Sequence, residues 1–467
     1  MSSNTNLDLM DEATGTIIIP QNVTKIGNGA FRDLAGLRSI VIPGTVKEIG
    51  DYAFSENPTL ENVVIEEGVE KIGSNTFRGC INLKKIQFPK SVTEMGSYCM
   101  CACTSLDNVE LPPNITVLNG GTFESCTNLK NIKLPENLIK MDGFVLANNS
   151  IERLEIPDSV TTIQPNSFVG LYKLKEIVLG DKSIYKYENG ILMKKDGTNI
   201  YFMSDSVLKN TTTFYIPEGV QVYGIYIANY NNIKEIVIPK SLEGINVETL
   251  PISVESIKVD EENKSYIVEN KCLYTKDKKA IIACFSKEKD ITFAEGTERI
   301  SRHSLRLAIN AENISLPESL KTIEQESFTK LGRCQKLKLG KNVQNIHPLC
   351  MIYKYDVSVT IDEANPYYKI IDNVIYTKNG GKIVAVLSQI EGEFVLDNNV
   401  KYIGEQCFFY QIKMESITIN SNINSIVKNA FTYCNILKEI KIDKKEGEIE
   451  GAPWSCPYGL RAVFWKK

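Results

Sequence analysis

Cys99-Met-Cys101-Ala-Cys103, flanked by Cys80 and Cys126, is the densest run of reactive side chains in the chain. Thiolate clusters can hold zinc or an iron–sulfur group, but structural zinc sites favour Cys-x2-4-Cys pairs with a second pair at a distance. Histidine, the usual general base and metal ligand, occurs only twice in 467 residues. His303 falls in the turn after Ile300, and His347 replaces a turn glycine after Ile346. Both are expected at the surface, and neither belongs to a Ser/His/Asp or Cys/His arrangement. No phosphate loop or dinucleotide fingerprint appears; Gly27-Asn28-Gly29 reads as an ordinary turn. Acidic runs such as Glu66-Glu67 and Asp260-Glu261-Glu262 read as solvated loops. The chain is therefore expected to be noncatalytic, with no metal and no cofactor.

The elements that position these residues come from a repeat. One unit reads Leu37-x-x-Ile40-x-Ile42-Pro43-x-x-Val46-x-x-Ile49-Gly50-x-x-Ala53-Phe54. The unit before it runs from Ile17 to Phe31, and the unit after it from Leu60 to Phe77. The prolines Pro20, Pro43, Pro89, Pro112 and Pro135 stand 23 residues or a multiple apart, and a 22-residue step leads to Pro157. A fixed period of this length marks a stacked solenoid, whose units bury their apolar faces only against one another. The Leu-x-x-Ile-x-Ile segment alternates with period 2 and is predicted as a strand. Proline ends it without leaving an unpaired donor. Glycine then frees the backbone for a turn, and the Phe ring fills the space between coils.

A polar segment, 1–15, precedes a regular block at 16–180. The block at 181–442 is interrupted by three variant units near 181–213, 260–292 and 362–394. These carry Asn189-Gly-Ile-Leu, Asn270-Lys-Cys-Leu-Tyr and Asp372-Asn-Val-Ile-Tyr, each followed by Asp-Gly, Asp-Lys or Asn-Gly and a second apolar strand. That pattern predicts a β-hairpin in each. The standard unit returns between them, as in Ile236-x-Ile238-Pro239 and Val400-x-x-Ile403-Gly404. Residues 443–467 are read as a cap, with Trp454 and Trp465 shielding the end of one continuous solenoid.

The cysteines follow the repeat register. Cys80, Cys103, Cys126, Cys334 and Cys434 stand three residues before a strand apolar residue, a slot that Asn57 and Asn148 are read to share. Cys99, Cys350 and Cys407 take the Ala slot of the Ala-Phe pair. Small packing residues are expected at both. Stacked coils about 4.8 Å apart would bring Cys80, Cys103 and Cys126 within bridging range. Buried cysteines at repeat positions nevertheless suit a reducing compartment, and free thiols are expected.

Balanced charge, at net -4 with a pI near 5.7, argues against a nucleic-acid partner. No apolar run is long enough to insert in a membrane. The opening residues 1–12 show neither a basic n-region nor an apolar h-region, so no signal peptide is read there. In each predicted strand the residues between core positions face outward. They form a ribbon of Lys85, Gln87, Asn108, Glu110, Asn131, Lys133, Arg153, Glu155 and Glu176, the expected protein-binding residues. A rival surface is the tyrosine-rich hairpins, with Tyr185, Tyr187, Tyr201, Tyr266, Tyr274, Tyr367, Tyr368 and Tyr376.

The Ile-x-Ile-Pro-x-x-Val-x-x-Ile-Gly-x-x-Ala-Phe unit resembles the BspA-like leucine-rich repeat family, also called the Treponema pallidum type, over roughly Thr16 to Lys441. The resemblance implies a β-rich solenoid, a right-handed and curved leucine-rich repeat superhelix of about 22–23 residues per repeat with three hairpin variant units. It implies a concave strand ribbon and a bacterial cell-surface or secreted protein that adheres to host extracellular-matrix proteins or to other cells. It carries no shared catalytic residues. The leading expectation is an adhesin-like, protein-binding scaffold. An intracellular, cytoplasmic or prophage-associated interaction scaffold is the first alternative. A metal- or redox-active cysteine protein is the second.

Overall fold

The computed structural model describes residues 10–164, 166–329, 331, 333–351, 357–427, 429–449 and 462–466. They form a β-solenoid with almost no helix. The chain divides into two compact units, Met1–Thr211 with Pro217–Asn232, and Thr212–Ile216 with Ile233–Lys467.

In the first unit each coil has three sides. The first is a strand of three or four residues, such as Thr16–Ile18, Ser39–Ile42, Asn62–Ile65 and Lys85–Gln87. These pair in parallel, one per coil, with Ile40 opposite Ile17 and Val63. Alternation sends Ile40 and Ile42 into the core, where both are fully buried. Pro43 ends the strand, and its carbonyl accepts from the Val46 amide at 3.0 Å to start the corner. The second side is a two-residue strand, such as Lys25–Ile26, Glu48–Ile49 and Lys71–Ile72, again parallel from coil to coil. The third is a turn whose amides reach the next coil. Tyr52 N–H donates to Ser74 O at 2.8 Å and Phe54 N–H to Thr76 O at 2.9 Å.

The turn glycine has a different task from the one expected. Left-handed backbone falls two residues later, at Tyr52 (φ 57°) and Tyr98 (φ 57°). At Gly50 the requirement is closeness, since an added Cβ would lie 2.7 Å from the Asn28 backbone nitrogen of the previous coil. The phenylalanines stack as expected: ring centroids lie 5.3 Å apart for Phe31–Phe54 and 5.5 Å for Phe54–Phe77. Full burial of each such ring contributes about 1.5–3 kcal/mol.

The three variant units are three-stranded meanders, one strand more than the expected hairpin. They comprise Tyr185–Glu188, Ile191–Lys194 and Ile200–Met203 in the first unit, with two more in the second. Those are Tyr266–Glu269, Cys272–Thr275 and Ala280–Cys284, then Tyr368–Ile371, Val374–Thr377 and Lys382–Val386. The extra turn lies at Asn189-Gly190, Asn270-Lys271 and Asp372-Asn373, all at positive φ, as a tight two-residue hairpin requires. In the second unit the last meander strand rejoins the solenoid by parallel pairing. Ile281 lies opposite Ile300, and Ile383 opposite Ile403.

The hairpin tyrosines are chiefly core and anchors, which removes most of them as a rival interface. Tyr185, Tyr266, Tyr274 and Tyr376 are buried, whereas Tyr367 is exposed. Tyr266 Oη donates to Glu243 O at 2.8 Å, and Tyr368 Oη to Gln344 O at 2.6 Å. Each ties its meander to the coil before it. Buried Asn263 and Asn365 form the entry corners. Asn365 Nδ2 donates to Val343 O at 2.9 Å while its Oδ1 accepts from Tyr368 N at 2.8 Å. The second unit ends in parallel strands Met414–Ile419, Glu439–Ile442 and Ala462–Trp465. Residues 450–461 and 467 of the expected cap, Trp454 among them, lie outside the described residues.

Candidate binding ribbon

The strand side of the first unit presents one outward row per coil. Lys85, Gln87, Asn108, Glu110, Asn131, Lys133, Arg153, Glu155 and Glu176 are all exposed there. Parallel register places Asn108 opposite Asn131, Glu110 opposite Lys133 and Arg153 opposite Glu176. The charges pair along the stack: Lys133 Nζ lies 2.7 Å from Glu110 Oε1, and Arg153 lies 2.6 Å from Glu155 and 3.0 Å from Glu176. Exposed pairs of this kind contribute little to stability. Their main effect is to fix a charge pattern on the face.

Two further features mark the ribbon beyond these nine residues. The first is apolar: Ile18, Val41 and Val64 occupy one outward row, in register across three strands. Ile18 is 65% exposed and Val64 49%. The alternation that marks core positions also marks these, but a lone outward valine reads as an ordinary strand residue. The second is a groove. Strands Lys85–Gln87 and Asn108–Glu110 belong to separate sheets, and an open groove of about 550 Å³ lies over them. It gathers Lys85, Gln87, Asn108 and Glu110 with Phe88 and Pro112.

The cysteines line the inside of the turn. Cys80 Sγ donates to Phe54 O at 3.2 Å, Cys103 to Phe77 O at 3.2 Å and Cys126 to Met100 O at 3.1 Å. Asn57 makes the same connection, from Nδ2 to Phe31 O at 2.8 Å. Asn148, expected to share this slot, does not. It is exposed with φ 58°, and Asn149 is the buried residue. The reason is the 22-residue step to Pro157: the turn is one residue shorter, so the inward slot falls two residues before Ile151. Burial pushes the Cys80 thiol up to about 12 and raises Cys99, Cys103 and Cys126 further. Such thiols stay protonated and are poor nucleophiles. Among the described residues, no group of three or more His, Cys, Asp or Glu is placed to hold a metal ion.

A family model for the BspA type leucine rich repeat region matches residues 11–119, 48–175, 97–208, 277–370 and 388–458, most of the chain. The chain belongs to the BspA-type leucine-rich repeat family. No curated protein matches it. Among solved structures it is similar to a leucine rich cell surface protein from Faecalibacterium prausnitzii, at 18% identity over 93% of this chain and 89% of that one, with TM-score 0.41. A leucine-rich repeat protein from Bacteroides ovatus matches at 17% identity over 97% and 92%, with TM-score 0.37. The leucine rich repeat protein of T. pallidum matches at 24% identity over 34% and 78%, with TM-score 0.32.

One BspA-type coil of the second unit departs from the sequence expectation. His303 is buried, not at the surface. Its Nε2 lies 3.1 Å from Glu326 Oε2 and 3.4 Å from Glu248 Oε2. Beside it, buried Arg306 donates to Leu250 O at 2.6 Å. Burial is the largest influence on His303 and holds its pKa below the ordinary value, against the pull of the two carboxylates. Sequence spacing gave no sign of this, because Glu248 stands more than two coils away in the chain. Among the described residues no helix is long and apolar enough to cross a membrane.

Proposed function

We propose that this BspA-type chain is a noncatalytic protein-binding scaffold, working as an adhesin-like cell-surface protein. It engages a protein of a host or neighbouring cell, such as an extracellular-matrix protein, through the strand ribbon. The observation that carries this reading is the ribbon's register. One face of the first unit runs from the outward apolar row of Ile18, Val41 and Val64, in which Ile18 and Val64 are exposed, past the Lys85–Glu110 groove, to the paired charges at Arg153, Glu155 and Glu176. An apolar patch bordered by patterned charge is what a protein partner uses for affinity and for orientation respectively. Repeat solenoids commonly bind through such extended faces.

Two experiments test it. A non-permeant amine label applied to intact source cells should modify the chain; labelling only after lysis would sink the surface role. Immobilised matrix proteins should retain the purified chain, and alanine at Lys85, Arg153 and Glu155 should weaken that retention. The intracellular scaffold is the second reading, and one observation favours it: all eleven described cysteines are buried free thiols, a pattern suited to a reducing compartment.

A further inference from the structure

We propose that Cys272 and Cys284 form a cross-strand dithiol in the second meander, a modification site that closes to a disulfide when the chain folds in the presence of a disulfide oxidant. Cys272 and Cys284 are direct partners in the antiparallel ladder. The hydrogen bonds identify the kind of pair. Cys284 N–H donates away from its partner strand, to Ser304 O at 2.7 Å, whereas the next residue, Phe285, donates across to Lys271 O at 3.0 Å. Cys272 and Cys284 are therefore a non-hydrogen-bonded pair. In such pairs the Cα atoms stand about 4.5 Å apart and the side chains approach most closely. That separation lies within the range a disulfide spans. Both side chains are fully buried on one face of the meander.

The other two meanders supply an internal comparison. Their pairs at the same register are Ile191 with Met203 and Val374 with Val386. The slot is apolar on both strands in those units, and in the middle unit both members change to cysteine together. The stacked thiols of the regular coils are different. Cys80, Cys103 and Cys126 each point at a carbonyl oxygen of the previous coil, so their sulfurs are directed at backbone and not at one another.

The chemistry balances with a low-molecular-weight disulfide as oxidant. One cysteine thiolate attacks a sulfur of the oxidant and expels one thiol, giving a mixed disulfide. The second cysteine loses its proton and displaces the other thiol, so two S–H bonds are exchanged for one S–S bond and the oxidant leaves as two thiols. Because both sulfurs are fully buried in the fold, the exchange takes place as the meander forms.

The test is to refold the reduced chain in a mixture of reduced and oxidised glutathione, quench with acid, alkylate and map the peptides. One linked pair carrying Cys272 and Cys284 is expected, lighter by two hydrogens, with Cys80, Cys103 and Cys126 alkylated. Dithiothreitol should then lower the melting temperature of the linked protein. The double variant C272V/C284V, which copies the Val374–Val386 pair, should melt at one temperature with or without dithiothreitol. A refolded chain with both cysteines alkylated overturns the proposal, as does linkage of either to a different cysteine. The same map on protein exported to an oxidising compartment is an independent reading, and finding both thiols free there also overturns it.

Discussion

Asn57 donates its side-chain amide to the carbonyl oxygen of Phe31, one coil back, at 2.8 Å. The same nitrogen reaches Phe54 O at 2.8 Å, and its Oδ1 accepts from Leu34 N at 2.9 Å. Asn57→Ala leaves those backbone groups unpaired in a buried site, at a cost of about 1–3 kcal/mol. Asn57→Cys should cost less, because Cys80 serves the same slot with a single bond. Urea unfolding followed by circular dichroism ranks the three proteins.

Phe54 stacks between Phe31 and Phe77. Its removal opens the space between coils on both sides. Phe54→Ala should destabilise by about 3–5 kcal/mol, and Phe54→Leu by clearly less. The shift in the urea midpoint measures it, and equal midpoints would mean the stack contributes nothing specific.

The thiols should be silent in the native state. Burial pushes Cys80, Cys350 and Cys407 up to about 12, so little thiolate forms at pH 8 and the reagent has no access. A chromogenic disulfide reagent should react with none of the eleven described cysteines until denaturant is added. Rapid native reaction at Cys80 would contradict the packing.

Stability should fall as the pH drops through about 6.5. In the folded chain burial holds His303 below its ordinary value of 6.5, with Glu248 and Glu326 opposing and Arg302 and Arg306 reinforcing the shift. The unfolded chain therefore binds a proton more readily than the folded one. Its contribution is present above about pH 6.5 and is lost below that, towards the lower folded value. Melting temperatures between pH 7.5 and 5 should show the slope. His303→Asn should flatten it, and asparagine tolerates the left-handed backbone there, φ 57°.

Ribbon substitutions should leave folding alone. Arg153, Glu155 and Lys85 are exposed, and exposed ion pairs contribute little. Alanine at each should leave the melting temperature unchanged while reducing retention on a confirmed protein partner. Replacing Ile18 and Val64 with serine should reduce it further, if burial of the apolar row supplies most of the affinity.

Ile40, Ile42, Pro43 and Phe54 could be placed from the sequence because each carries its own physical signal: alternation, a missing donor, a ring that must be buried. The nine ribbon residues followed from that alternation, and their exposure agrees with it. Other positions needed the third dimension. Asn149 was hidden by a one-residue deletion that shifts the inward slot. The turns at Asn270-Lys271 and Asp372-Asn373 lack the Asn-Gly signature yet take the same left-handed path. The hairpin tyrosines read from sequence equally as interface or as strand residues, and only the fold bonds Tyr266 and Tyr368 to backbone carbonyls. His303 is buried by residues the linear pattern does not bring near it. Cys272 and Cys284 meet only once the middle strand of the meander is recognised.

The bonds that join coils have a kinetic consequence. Asn57 reaches back 26 residues, Cys103 26 and Ser91, accepting from Gly68, 23. In these three bonds neither partner waits for a distant part of the chain. A coil emerging during synthesis needs only its immediate predecessor to lay down its ladder, so the search each segment must complete stays short however long the protein grows. Assembly can begin at one coil and advance along the stack.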